Sequence, residues 1–273
     1  MIRVLCRLFR LRLVLMNGFV AVGGFLLYPG TADTLRLCAL FCGVALLAAG
    51  GSALNQVLEI DLDRVMTRTR LRPLPNGDLS LAAVTVIGTI CSLAGFVLLL
   101  AVGGPIPALL GIAALAWYLA IYTPLKRRTP FALIMGGVCG ALPPVIGWSM
   151  AGGSPADHWV IMLSAVMFLW QVPHFWLFQR RYANDYRRAG IPLLEVSSRG
   201  AQHHGLFGLW ICALITSVML LPTFGIINGS ISLWYALFPI PLIAISMFNS
   251  ETALFSYLNI FPLMLTIALI AQR

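Results

Sequence analysis

The chain has 273 residues, of which 60% are hydrophobic and only 10% charged, with a formal net charge of +9 and a mean hydropathy of +0.91. A soluble globular domain carries about 25% charged residues, so the composition excludes one and implies an integral membrane protein with room for several spans of roughly 20 residues. The positive charge flanks apolar runs, where topology and anionic headgroups account for Arg3, Arg7, Arg10 and Arg12, and no nucleic-acid partner is expected.

In chain order, continuous apolar runs near 11–28, 35–57, 80–102, 105–123, 130–151, 157–178, 205–222, 230–248 and 252–271 predict nine transmembrane helices. The absence of period-two alternation excludes an outer-membrane barrel. The fourth run is short and opens on prolines, so eight spans also stay open. No cleavable leader is expected; the run from Leu11 serves as the first anchor. With nine spans, sixteen of the eighteen Lys and Arg residues fall on one side, all but Arg36 and Arg273. The positive-inside rule then puts the N-terminus and these loops in the cytoplasm and the C-terminus outside.

The loop after the second run, NQVLEIDLDRVMTRTRLRP (55–73), holds three carboxylates and four arginines. Read as one helix ended by Pro73, it places Asn55, Glu59 and Asp63 at i, i+4 and i+8, drifting about 40° per step on one face; Asp61 points elsewhere. An acid in the hydrocarbon costs roughly 2.5–3.5 kcal/mol, so several together imply a polar cavity. Oxygen ligands on one face suit Mg²⁺, which takes one or two carboxylates plus phosphate oxygens and water. Arg68 and Arg72, at a further i, i+4 step, suit phosphate. The plain alternative is a set of salt bridges closing the membrane edge.

A second polar loop, RRYANDYRRAGIP (180–192), carries Asp185 as its one acid among Tyr182, Tyr186 and four arginines, and can add a metal ligand. Asp63 and Asp185 lie 122 residues apart, as in two four-helix halves with a ninth helix appended, all one membrane domain over residues 1–273. The loop YTPLKRRTP (122–130) offers Lys126 and Arg127 to an anion. His174, in WQVPHFW (170–176), reads either as a structural residue or as a haem ligand or proton carrier. His203 and His204 read as interfacial residues, and His158 lies on the outer side. Cys38 and Cys42, four apart, are read as packing residues, and no disulfide framework is expected.

These residues resemble the UbiA superfamily of intramembrane prenyltransferases, whose first motif, N-x-x-x-D-x-x-x-D then R-T-x-x-R-P, reads here Asn55, Glu59, Asp63, Arg68-Thr69 and Arg72-Pro73. Within it the chain is most similar to the branch that farnesylates haem B. The segments D-x-D-x-x-M-x-R-T-x-x-R-P-L (61–74), YTPLKR (122–127), GALPPVIGW (140–148), PHFW (173–176) and D-Y-x-x-A-G-I-P (185–192) carry that likeness. Glu59 stands where the family usually has Asp, Glu195 where it usually has Pro, and the Lys-Pro opening is missing. The resemblance implies a helical bundle in a bacterial-type inner membrane that transfers farnesyl from farnesyl diphosphate to a vinyl group of haem B. It implies two Mg²⁺ ions held by Asn55, Glu59, Asp63 and Asp185. Lys126, Arg68, Arg72 and Arg127 would neutralise the departing diphosphate, and Tyr122, Tyr186 and His174 would contact substrate. Haem A synthase or terminal oxidase assembly would take the product. Two other readings stay open: a prenyltransferase for an aromatic acid or quinone precursor, and a transporter.

Overall fold

A computed structural model describes residues 1–30, 32–194, 201–248 and 250–272, without the side chains of residues 2, 201–204 and 231–232. Glu195, Arg199 and Arg273 lie outside the described residues, as do the side chains of His203 and His204. The described residues form helices and no strand: α1 (Ile2–Phe9), α2 (Leu11–Leu27), α3 (Thr34–Leu58), α4 (Ile60–Val65), α5 (Leu81–Gly103), α6 (Pro105–Ala116), a π-helical turn (Trp117–Tyr122), α7 (Thr123–Leu125), α8 (Ala132–Met150), α9 (His158–Arg181), α10 (Ala183–Arg188), α11 (Ala201–Leu220), α12 (Ile231–Leu237), α13 (Pro239–Met247) and α14 (Glu251–Ala271). The all-helical membrane fold is as expected.

The count of nine spans is not confirmed. Among the described residues six helical segments are long and apolar enough to cross a membrane: α3, α5, the continuous Pro105–Leu125 segment, α8, α9 and α14. Helices α1 and α2, bent by 57°, make a seventh if taken as one span. The remaining apolar stretches, Gly205–Leu220 and Leu233–Met247, are helical but shorter. The second of these is broken where Pro239 opens α13, because proline brings no N–H to the turn before it.

Two larger apolar cores hold the bundle together. One gathers α2, α8, α9 and α11 to α14 around Trp148, Met167, Trp234, Phe238 and Phe261; the other gathers α2, α3, α5, α6 and α8 around Phe25, Leu40, Leu99 and Ile146. A third, smaller cluster of Leu8, Ala53, Leu74 and Val84 seats α1 on the end of α3 beside the first polar loop. Lipid offers no hydrophobic driving force for helix pairing, so close backbone approach through small residues supplies the packing. A side chain at Gly147 of α8 would fall on the Ala21 carbonyl oxygen of α2. On α5, which runs antiparallel to α3, a Cβ at Gly95 would lie 2.7 Å from the Gly43 carbonyl oxygen.

Gly147→Ala is therefore expected to destabilise the protein by at least the ~1–3 kcal/mol of an overpacked core, because the obstruction is backbone. Gly208→Ala on α11, with nothing within 4 Å of the added carbon, should be neutral or stabilising by up to ~1 kcal/mol. Thermal unfolding in detergent, with both variants side by side, checks the contrast.

Candidate active site

The first polar loop departs from the continuous helix expected through Pro73. Helix α3 ends because Glu59 adopts φ −123°, ψ 20°, although its N–H still reaches the Asn55 carbonyl at 3.0 Å and its own carbonyl accepts from Asp63 N–H at 2.8 Å. Helix α4 stops at Val65, and Met66 is extended. A longer helix would have given the amides of Thr67 and Arg68 to the carbonyls of Asp63 and Arg64. Asp185 takes them instead, one on each carboxylate oxygen at 3.0 Å. The Asp63 carbonyl vacated in this way accepts from the Thr69 hydroxyl at 3.1 Å. The chain then turns back, and Arg72 Nη1 donates to both oxygens of Asp63 at 2.8 and 2.7 Å.

Asn55, Glu59, Asp63 and Asp185 are all buried, each 8% exposed or less. Asn55 Nδ2 donates to Glu59 Oε2 at 2.8 Å, and Lys126 Nζ pairs with the same oxygen. Glu59 Oε1 is buried with no hydrogen-bond partner. Lys126 is delivered by the π turn. Pro124 has no N–H for the Ala120 carbonyl, and Thr123 N–H reaches past the Leu119 carbonyl to that of Tyr118. The Thr123 hydroxyl is shared between the Tyr118 carbonyl at 2.8 Å and Asn55 Oδ1 at 2.9 Å. Tyr122 stacks between Tyr118 and Phe175 at centroid distances of 5.9 and 6.1 Å.

Arg68 lies between the rings of Phe178 and Tyr182, 4.8 and 5.2 Å from their centroids, and its Nε is buried without an acceptor. Arg127 is engaged elsewhere: it forks onto Asp61 with two 2.8 Å bonds and also donates to the Leu58 carbonyl. Asp61, outside the acid cluster, is thus an exposed strut. His174 is sandwiched by Trp170 and Phe255 at 5.0 and 5.6 Å, with Nδ1 buried and unbonded. Tyr186 lies on α10 one residue beyond Asp185.

Burial pulls both Lys126 and Arg68 below their ordinary pKa, and for Lys126 the Glu59 carboxylate opposes that fall. Burial pushes Asp185 up, but the Arg68 and Thr67 amides outweigh it and leave the carboxyl below its usual range. That contact stabilises the fold at neutral pH and is lost as acid carries the pH down through the lowered value.

Among the described residues no three His, Cys, Asp or Glu side chains gather into a metal cage. The oxygen-only donors nonetheless suit Mg²⁺, which seldom needs such a cage, and the unbonded Glu59 Oε1 is one donor ready for a cation. Around these acids Lys126 uses one of its three donors on Glu59, Arg72 spends only Nη1 on Asp63, and Arg68 Nε is buried without an acceptor among the described residues. Unspent cationic donors over buried carboxylates, with aromatic walls beneath, are what a metal-bound phosphate ester on an apolar tail would require. Thr123 and Phe178 carried no signal of their own in the sequence: Pro124 and the basic run after it were the only pointers to the first, and a hydrophobic residue one turn before a polar loop to the second.

The fold and site define a helical membrane protein with buried acids and basic side chains gathered at one end of the bundle. The UbiA prenyltransferase family model matches residues 16–268, and the chain belongs to that family. It is a prenyltransferase by membership and an integral membrane protein. A protoheme IX farnesyltransferase of Geobacter sulfurreducens is 57% identical over 267 residues, covering 97% of each chain. One from Nitratidesulfovibrio vulgaris (strain DP4) is 39% identical, covering 81% of this chain and 77% of its own. Among solved structures, a UbiA homologue from Aeropyrum pernix K1 superposes with TM-score 0.76 at 21% identity, covering 95% and 97% of the two chains. Another from Archaeoglobus fulgidus, bound to GPP and Mg²⁺, does so with TM-score 0.72 at 14% identity over 98% of each. Those two establish the fold.

Arg72→Met is expected to destabilise by ~3–5 kcal/mol, because it strands the Asp63 carboxylate in a buried site. Arg72→Met combined with Asp63→Asn should recover most of that loss. Asp61→Ala, which breaks an exposed pair, should cost under ~1 kcal/mol. Unfolding of the variants in mixed micelles gives the double-mutant cycle.

Proposed function

We propose that this chain transfers the farnesyl group of farnesyl diphosphate to a vinyl group of haem B, with water completing a hydroxyethylfarnesyl side chain and diphosphate released, so that the product is haem O. The observation that carries the reading is the junction of the two polar loops. Asp185 binds the amides of Thr67 and Arg68 and so brings Arg68 to the same end of the bundle as Lys126, Arg72 and the acids they guard. The farnesyl and haem assignments rest on the 57% identical relative.

The donor end is electrostatic. Glu59, Asp63, Asp185 and Asn55 would hold Mg²⁺, two ions in this reading, and the metal would screen the diphosphate and stabilise it as it leaves. Lys126, Arg68 and Arg72 exchange their carboxylate and aromatic contacts for phosphate oxygens, where preplaced charge stabilises the ionising C–O bond more than the resting ester. Arg127, held by Asp61, braces the loop at the edge of this set. The allylic cation needs dry, electron-rich walls, which Tyr122, Phe175 and Tyr186 offer. His174, stacked and with an unbonded Nδ1, would line the acceptor side in this reading. The basic loops, and with them the site, would face the cytoplasm of a bacterial inner membrane, and haem A synthase or terminal oxidase assembly would take the product.

Expression in a membrane lacking this activity should yield haem O by mass spectrometry, and a product found on an aromatic acid instead would overturn the acceptor. The Glu59→Ala, Asp63→Ala, Asp185→Ala triple variant should release no diphosphate from farnesyl diphosphate above background; retained release would remove these residues from the reaction. Lys126→Ala should lower kcat by roughly 10²–10³, and a chelator should abolish turnover in a way that added Mg²⁺ restores.

A further inference from the structure

A further basic residue near the site has, like Arg68, no ion pair among the described residues. Arg10 joins α1 to α2: its N–H caps α1 at the Cys6 carbonyl, and its own carbonyl accepts from Leu13 and Val14 in the first turn of α2. It does so at φ 57°, ψ 57°, and it is the only non-glycine residue of positive φ among those described. A long side chain there is disfavoured, and glycine would fit without penalty. Strain of this kind persists where the surroundings over-determine it.

The surroundings do so here. Leu8, two residues earlier, is fully buried against Ala53, Leu74 and Val84, and its carbonyl accepts from Gln56 Nε2 at 2.8 Å. Gln56 is the neighbour of Asn55, and Leu74 follows Arg72 by two residues, so the joint is pinned to both ends of the first polar loop. Among the described residues no carboxylate pairs with Arg10: Glu59, Asp61, Asp63 and Glu251 are taken by Lys126, Arg127, Arg72 and Arg180. The positive charge of Arg10 is felt at Arg68, Lys126 and Tyr186. A cation held among other cations, without an acid of its own, is matched to an anion that arrives from outside.

We infer that Arg10 is a phosphate-contacting residue of the donor site, projected from the strained α1–α2 joint so that its guanidinium binds the diphosphate together with Lys126, Arg68 and Arg72. The inference rests on the diphosphate site proposed above and is independent of the acceptor. It differs from the ordinary reading of an N-terminal arginine, which is a contact with an anionic lipid headgroup; both ligands are phosphates, and the bilayer composition separates them.

The test uses the full chain in nanodiscs of zwitterionic lipid, with inorganic pyrophosphate and Mg²⁺ as the probe and thermal unfolding as the readout. Arg10→Ala and Arg10→Gly should each need roughly tenfold to hundredfold more pyrophosphate for the protection seen in the unaltered protein, while Arg10→Lys keeps most of it. Without ligand, Arg10→Gly should melt no lower than the unaltered protein. In turnover, the KM for farnesyl diphosphate should rise in the Ala and Gly variants and that for haem should not. Unchanged protection in both variants overturns the inference. So does recovery in Arg10→Gly alone, which would make the joint the only role, or a loss confined to anionic discs, which would assign Arg10 to lipid. Absence of pyrophosphate protection in the unaltered protein would overturn the diphosphate site itself. Failure to make haem O with protection intact would overturn the acceptor assignment and leave Arg10 in place.

Discussion

A carboxylate cannot stay charged and buried at the end of a membrane bundle unless something answers it, and three such carboxylates organise this structure. Each is answered differently. Glu59 has an amide and an ammonium, Asp63 has one arginine nitrogen, and Asp185 has two backbone N–H groups and, among the described residues, no cation at hydrogen-bonding distance. The third solution has the widest reach, because it consumes main-chain donors that a helix would otherwise use. The path of the chain from Met66 to Asn76 follows from it, and that path in turn decides which arginine can reach Asp63.

The scaffold around these groups suits them in a specific way. Helix α3 ends at the acids and also carries the glycines that let α5 approach within backbone distance, so the segment presenting Asn55 and Glu59 has little freedom to tilt or slide. The remaining elements of the site, α4, the π turn and α10, are short and sit at the membrane end, where backbone groups can find polar partners. Rigid spans thus hold the bundle in register while the chemistry rests on short pieces capped by side chains.

Much of this was legible in the sequence. Apolar run length gave the helices, and the clustering of acids with arginines gave the two loops that meet. The i, i+4 spacing of Asn55 and Glu59 survives as a direct hydrogen bond. The continuation of that helix to Pro73 did not survive, since a local spacing rule carries no information about an acid 118 residues away that captures the amide of Thr67. The count of nine spans is left unconfirmed for a related reason: hydropathy registers the apolar character of 230–248 but not the break at Pro239. Arg127 looked like its neighbour Lys126 in composition, yet one faces a buried acid and the other an exposed one, a difference set by helix phase.

That phase has a further consequence. A π turn admits one more residue than the α-helical turn it replaces, and one residue corresponds to about 100° of rotation. The stretch from Trp117 to Tyr122 therefore acts as a phase shifter within an otherwise regular helix. Residues before it keep the facing that packs α6 against its neighbours, and residues after it are turned so that Thr123 meets Asn55 and Lys126 meets Glu59. Chain length here is a functional variable in its own right: removing Ala120 from this turn would leave every side chain of the site present and aim two of them away from it.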